Sequence, residues 1–365
     1  MTGRRRLALA RWSFVIVALL TAALAAFPDT RYLLHAAWAE GSILARRRSI
    51  PDVIADPRTS EALRGKLGLV QAARRFAADS IGLDVRNNFT MYTRLEHDTL
   101  VLVLAGARKD LLAPVTWWFP IVGQMPYKGF FDSARAVSAE QELQRSGYDT
   151  YLRPSSAFST LGWFSDPVVS TTLEGDSAEI VETVIHELTH STFYPPGQAV
   201  FSESFANFVG MHGASRFFLA HGDSAKSRTI EARWADEVVL GRFWEWLWAA
   251  LDTAFRARPG EDARAKAARL AARDSIYRAA RDSLVHSLPR RLTTIPAEAL
   301  AHTRLDNAVL FARIVYASGL DRFDVVLARS DGNLARAVAR VIAIGRGRLD
   351  DPLGAVRTAA SRPGL

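Results

Sequence analysis

The chain has 365 residues, 49% of them hydrophobic and 23% charged, which is enough apolar material for one large core or two modest ones and no composition for disorder. Its net charge of +8 is concentrated: residues 1–31 hold five arginines against one acid, so a surplus of only +4 is spread over the remainder, with no basic stripe interleaved with aromatics to suggest nucleic-acid binding. Cysteine is absent, which excludes disulfides, thiolate ligands, thiol catalysis and lipid attachment at a cysteine, and leaves His, Asp and Glu to hold any metal.

The N-terminus carries Arg4, Arg5, Arg6 and Arg11, followed by an uncharged run from Trp12 to Phe27 that is close to the shortest helix able to cross a bilayer. Residues 1–30 are therefore predicted to be a transmembrane anchor, with a cleaved signal peptide kept open by Ala23-Leu24-Ala25. The arginine flank puts the rest of the chain on the extracytoplasmic, periplasmic side, so the expected product is a membrane-anchored protein with residues 31–365 as one domain outside the cytoplasm.

Beyond the anchor, residues 31–83 read as helical, with Leu63, Leu67, Val70, Ala73 and Ala77 recurring at helical spacing. Thr99 to Ala105 and Thr116 to Phe119 are strand-like pieces, 132–145 returns to helix, and Tyr148 to Leu152 suggests a strand beyond Gly147. The β-branched run Val168 to Thr172 reads as another strand. Asp176 followed by Glu179 marks a capped helix start, and the helix from Ser177 to Tyr194 stops at Pro195-Pro196-Gly197. A second helix is expected from Ser202 or Glu203, and 260–289 has the composition of a long solvated helix. Trp244, Trp248, Leu251 and Phe255 form a helical stripe that reads as core packing rather than a membrane-surface patch. The class is α+β, a small sheet with metal-site helices and a mostly helical C-terminal region.

His186-Glu187-Leu188-Thr189-His190 is an HExxH. On a helix, residues four apart share a face one turn apart, so both imidazoles can bind one ion, and Glu187 lies beside that face as a general base for a water the ion activates. This donor chemistry, with no sulfur, suits one zinc ion and predicts hydrolysis of a peptide or protein substrate by a zinc metallopeptidase. A third ligand is required. Glu203, thirteen residues after His190 and beyond a turn that brings the chain back, is the first candidate for it, and His212 is its competitor. An acid near a helix N-terminus, favourable to the dipole, is the structural alternative for Glu203.

His186 to His190 followed by Ser202-Glu203-Ser204-Phe205-Ala206 is similar to the HELAH and NEGFA pairing of gluzincin aminopeptidases, with a shorter connection. The chain most resembles the bacterial family of predicted aminopeptidases. Further segments echo that family: Tyr127 to Phe131, Gly147 to Tyr151, Ser159 to Phe164 and Leu305 to Ala308, so that the resemblance spans about residues 31–345. It implies a zincin-like fold and aminopeptidase activity, and from the spacing after Asn307 it implies Tyr316 as the oxyanion donor, with Tyr151 and Tyr194 as rivals. The chain departs from the family at Ser202, at Gly197-Gln198 and at Gly210, where family sequences tend to have Asn, Gly-Asp and an acid. The stretch Ser159 to Thr172 stands where gluzincins keep a substrate edge strand, and Asp166 or Glu174 is the acid available to a substrate amine. Two other classes stay open: a catalytically silent, zinc-containing membrane scaffold or chaperone-like protein, and a hydrolase of non-peptide amides.

Overall fold

A computed structural model of the protein describes residues 41–95, 101–119, 123–130, 132–155 and 167–362. The predicted anchor at residues 1–30, the Ser159 to Phe164 segment and Asp166 lie outside the described residues. Contacts divide the chain into a unit Met1–Arg47 and a unit Arg48–Leu365, which carries every element below.

The expectation of a membrane-anchored protein with its catalytic domain on the extracytoplasmic side is corrected: among the described residues, no helix is long and apolar enough to cross a membrane. The physical reason is visible in the two longest helices. The 33-residue helix Ser224–Arg256 has charges such as Arg233, Asp236, Glu237 and Arg242 along its middle, where hydrocarbon tolerates them badly. The apolar helix Ala199–Ala220 is buried nearly all round by other helices, as expected of a central core helix.

The fold is mixed, mostly helical with small sheets. Strands β1 (Arg48–Ser49), β2 (Met91–Thr93) and β8 (Val168–Val169) form one sheet, in which β2 pairs antiparallel with β1 and parallel with β8. Strands β3 (Val101–Ala107), β6 (Tyr127–Phe130) and β7 (Asp149–Ser155) form a second, antiparallel sheet with β3 at its centre. Strands β4 (Trp117–Phe119) and β5 (Gly123–Met125) make a hairpin. The strand expected over Val168 to Thr172 is only two residues long. The Ser170 hydroxyl accepts the Leu95 N–H at 3.0 Å where the next rung would form, and the chain turns into a short 3₁₀ segment, Ser170–Leu173.

Twelve helices are used below: α1 (Ile50–Ala55), α2 (Glu61–Phe76), α3 (Ser133–Arg145), α4 (Ser177–Thr192), α5 (Ala199–Ala220), α6 (Ser224–Arg256), α7 (Ala263–Asp282), α8 (Ala297–Ala301), α9 (Asn307–Ala317), α10 (Leu320–Ala328), α11 (Leu334–Gly347) and α12 (Pro352–Ser361). Their starts follow from local chemistry. Ser60 caps α2, Asp132 caps α3, and Asp176 with Glu179 closes a reciprocal capping box on α4. The stripe read along α2 is buried at Leu67, Val70 and Ala73. Helix α5 is the axis of the core: Phe201, Phe205 and Phe208 are fully buried and stack towards Phe323 of α10. The stripe on α6 is core as expected, with Trp244, Leu251 and Phe255 buried and Trp248 packed edge-on to Phe311 of α9.

The period-two alternation of the central sheet sends its two faces to different tasks. Leu102, Leu104, Phe130 and Leu152 pack on Ala136, Ala139 and Leu143 of α3 as a separate small core. The opposite face aligns Tyr127, Ala105 and Tyr151 in one row and Gly129, Val103 and Arg153 in the next. That second face turns to the site described below.

Candidate metal centre

Helix α4 buries Ile180, Val181, Val184, Ile185, Leu188 and Thr189, so the remaining face carries Glu182, His186 and His190 in line, one turn apart. After Thr192 the chain reverses through Pro195, Pro196 and Gly197, the last at φ +74°, which only glycine adopts without strain. Helix α5 then begins at Ala199, three to four residues earlier than expected, so Glu203 sits in the second turn. There the helix dipole has faded, and the dipole-stabilising alternative for this acid does not apply. Gly210 lets the two helices close on each other, since a Cβ there would stand 3.1 Å from the Glu182 carbonyl oxygen and 3.3 Å from His186 Cβ.

The result is a compact donor set. His186 Nε2 lies 3.3 Å from Glu203 Oε2 and 3.2 Å from His190 Nε2, and His190 Nε2 lies 3.6 Å from Glu203 Oε2. Three donors held about 2.0–2.2 Å from a tetrahedral ion stand roughly 3.3–3.6 Å apart, so this triangle has the size of one face of such a site. These three residues are the one metal-capable cluster among the described residues. His190 Nδ1 is buried without a partner, so its ring is engaged only at Nε2, the atom turned to the other donors. The cluster also attracts positive charge. Burial opposes it, but the His186 hydrogen bond and the nearby His190 imidazole hold the Glu203 carboxyl well below the usual carboxylate range. Burial would lower the His186 pKa, yet Glu203, Glu187 and Glu182 raise it.

His212, the competing ligand, is turned elsewhere: its Nε2 lies 3.0 Å from Asp324 Oδ1, and its ring packs between Phe208 and Trp234. Glu187 follows His186 on α4, and its charge raises the pKa of both His186 and Tyr316. Tyr316 comes to the same place through α5. The Asn207 amide donates to the Tyr316 carbonyl oxygen at 3.0 Å, and Ser204 Oγ donates to Val315 O and accepts from Ser318 N. The Ser202 to Asn207 segment thus offers a donor, Glu203, and grips the end of α9. The Tyr316 hydroxyl accepts from Arg153 Nη2 at 3.4 Å, and burial, with Glu203, raises its pKa.

Of the rival tyrosines, Tyr194 packs edge-on to His190 at 5.7 Å between ring centroids, whereas Tyr151 faces the adjoining cavity. Tyr127 was not foreseen. Burial, then Tyr194, Tyr316 and Glu203, push its pKa to about 12. Arg153 was also missed, although its place two residues after Tyr151 on a strand assigns both to one face. Glu174 is exposed and is not among the cavity residues.

Two segments singled out in the sequence meet here. Asp149 Oδ2 accepts from Arg273 Nη2 at 2.5 Å and from the Asn307 backbone N–H at 3.0 Å. The Asn307 amide in turn donates to Arg108 O, and its Oδ1 accepts from Tyr277 at 2.6 Å. This buried network fixes the start of α9 to the sheet and so fixes Tyr316 opposite Arg153. Beside it opens a cavity of about 780 Å³ lined by α4, α5, α6, α9 and β7, with Glu182, Asn207, Glu237, Arg153 and Tyr316 on its walls.

Comparison with known proteins gives one family, described as putative aminopeptidase, which matches residues 31–350. No curated protein and no solved structure matches the chain.

Proposed function

The chain belongs to the putative aminopeptidase family, and we propose from that premise that it is a gluzincin-like HExxH zinc metallopeptidase on a zincin-like fold, using His186, His190 and Glu203 as ligands. Family membership supports peptidase chemistry in general. The observation that carries the finer reading is the triangle of donor atoms, 3.2–3.6 Å on each side. Two imidazoles and a carboxylate with no sulfur suit zinc, and three protein ligands leave a fourth position open, as hydrolytic sites require. When bound, the ion lowers the pKa of water and polarises a carbonyl oxygen.

The chain's own groups supply the rest. Glu187 takes a proton from the attacking water and returns it to the leaving nitrogen. The Tyr316 hydroxyl, already accepting from Arg153, has its own proton free to direct at the carbonyl oxygen as negative charge develops there.

The test is Glu187→Gln, which keeps the shape and removes the proton acceptor. Zinc should stay near one per chain while peptide hydrolysis falls by roughly two to four orders of magnitude. Lost zinc would make Glu187 a structural residue, and unchanged turnover would refute its role as base. A parent protein that holds zinc and cleaves no peptide in a broad library would favour a silent scaffold, and amide substrates in the same screen separate out a non-peptide hydrolase.

A further inference from the structure

Arginines set into this protein find carboxylates. Arg269 Nη2 lies 2.7 Å from Asp110 Oδ2, and Arg273 Nη2 lies 2.5 Å from Asp149 Oδ2. In the wall of the cavity beside the metal donors, Arg233 pairs with Asp176 at 3.6 Å. Arg313 lies 5.8 Å over the ring of Trp244 and acts on Glu237, whose pKa burial raises and Arg313 lowers. Arg153, in the same wall, differs. It is half-buried, and the side chain it engages is a neutral phenol: Nη2 reaches the Tyr316 hydroxyl at 3.4 Å, and the guanidinium stands 5.6 Å from the centre of that ring. Among the described residues no carboxylate pairs with Arg153, and four of its five N–H groups are unengaged. A guanidinium cannot shed its charge, so one held partly out of water without a counter-charge calls for an anion.

We propose that Arg153 receives the C-terminal carboxylate of a short peptide, one residue beyond the bond that is cut, so that dipeptides are the preferred substrates. The proposal rests on the peptidase reading and adds to it a limit on peptide length.

Three observations favour a terminal carboxylate. The first is reach. A carbonyl oxygen that takes the Tyr316 proton at about 2.7 Å stands no more than roughly 6 Å from Arg153 Nη2, because the two side chains meet at 3.4 Å. Three bonds separate the scissile carbonyl carbon from the carboxylate carbon of the next residue, a distance of roughly 3–4 Å, and a charge-assisted hydrogen bond adds about 2.8 Å. The carboxylate of a dipeptide therefore falls within range of Arg153, and each further residue carries it up to about 3.6 Å beyond. The second is the shape of the donor. A guanidinium presents parallel N–H groups to both oxygens of a carboxylate, whereas an internal peptide carbonyl offers one oxygen and no charge. The third is rigidity. Arg153 sits on β7 opposite Val103 of β3, and the Asn307 backbone N–H, 3.0 Å from Asp149 Oδ2, ties that strand to α9, which carries Tyr316. Both groups are thus in place before a substrate arrives, as discrimination between peptide lengths requires. Val103 and Gly129, beside Arg153 in its row, are small and uncharged, so no acid of the sheet competes there.

The experiment uses the full-length, zinc-loaded protein. Hydrolysis of the Ala–Leu bond is compared in alanyl-leucine, alanyl-leucinamide and alanyl-leucyl-leucine. Binding of the first two is measured by calorimetry in the Glu187→Gln protein, where turnover is too slow to interfere. The free dipeptide should bind about 10- to 100-fold more tightly than its amide, the range for hydrogen bonds to charged groups, and should be cleaved faster than either other compound. Arg153→Gln should make the dipeptide and its amide nearly equal. Arg153→Lys, which keeps the charge and loses the paired donors, should retain part of the preference. The readout is a ratio between substrates, which a general loss through the Tyr316 contact does not move. The parent comparison needs no variant at Arg153, so misfolding of one leaves the proposal testable. Equal cleavage of all three compounds with equal binding of dipeptide and amide would overturn the carboxylate site and leave the peptidase reading standing. Selective binding of the dipeptide with no cleavage of any peptide would do the reverse. A preference that survives Arg153→Gln would overturn the assignment to this residue.

Discussion

Holding Glu182 in the cavity wall should carry a measurable cost in stability, and that cost should depend on pH. Burial is the main cause, opposed by His186 and reinforced by Glu237, and it raises the Glu182 pKa from the usual 4.5 to about 7. The sign follows from linkage. Below pH 4.5 the carboxyl is protonated in both folded and unfolded chains, so it costs nothing. Between 4.5 and about 7 the unfolded chain releases the proton while the folded chain keeps it, and stability falls as pH rises. Above about 7 the full cost is present. At 1.36 kcal/mol per tenfold change in proton affinity, it is about 3 kcal/mol. Glu182→Gln removes the titration and keeps the shape, so in the chelator-treated protein it should stabilise by about 3 kcal/mol at pH 8 and by close to nothing at pH 4.5. Urea unfolding of parent and variant at both pH values gives the difference directly. A cation held by His186, His190 and Glu203 would favour the ionised carboxylate and shrink the pH 8 gain. An equal effect of the substitution at pH 4.5 and pH 8 would refute the account of a carboxyl buried at a cost.

Glu203→Ala should abolish stoichiometric zinc binding, measured by metal analysis after dialysis, and Glu203→Asp should be intermediate. His212→Ala should leave zinc content unchanged because its ring is paired with Asp324, and the opposite ranking would move the third ligand. Arg273→Ala leaves the Asp149 carboxylate, 8% exposed, with only the Asn307 N–H as partner, and should cost about 3 kcal/mol or more in urea unfolding. A loss below about 1 kcal/mol would show that the network tying α9 to the sheet contributes little.

The sequence alone determined what depends on neighbours along the chain. The capping pair Asp176 and Glu179, the stop at Pro195 to Gly197 and the i, i+4 spacing of His186 and His190 are local, and each appears where the sequence puts it. The anchor is the contrary case among local readings. A charge-free run is a statement about length and hydropathy, and the membrane placement drawn from it is not carried by any described helix. Choosing between Glu203 and His212 depended on which way α5 is turned against α4, and Gly210, which permits the close approach, has no meaning until the two helices are packed. Sequence resemblance marked Gly147 to Tyr151 and Leu305 to Ala308 as separate segments. Only the folded chain joins them, through Asp149 and Asn307, about 160 residues apart in sequence, because a buried carboxylate needs donors and the nearest lie on another element. The same holds for Glu182 and Glu237. Each is an unremarkable acid on its own helix, and their shared cavity exists because α4, α6 and α9 enclose it, a property of tertiary packing that no spacing along one helix encodes.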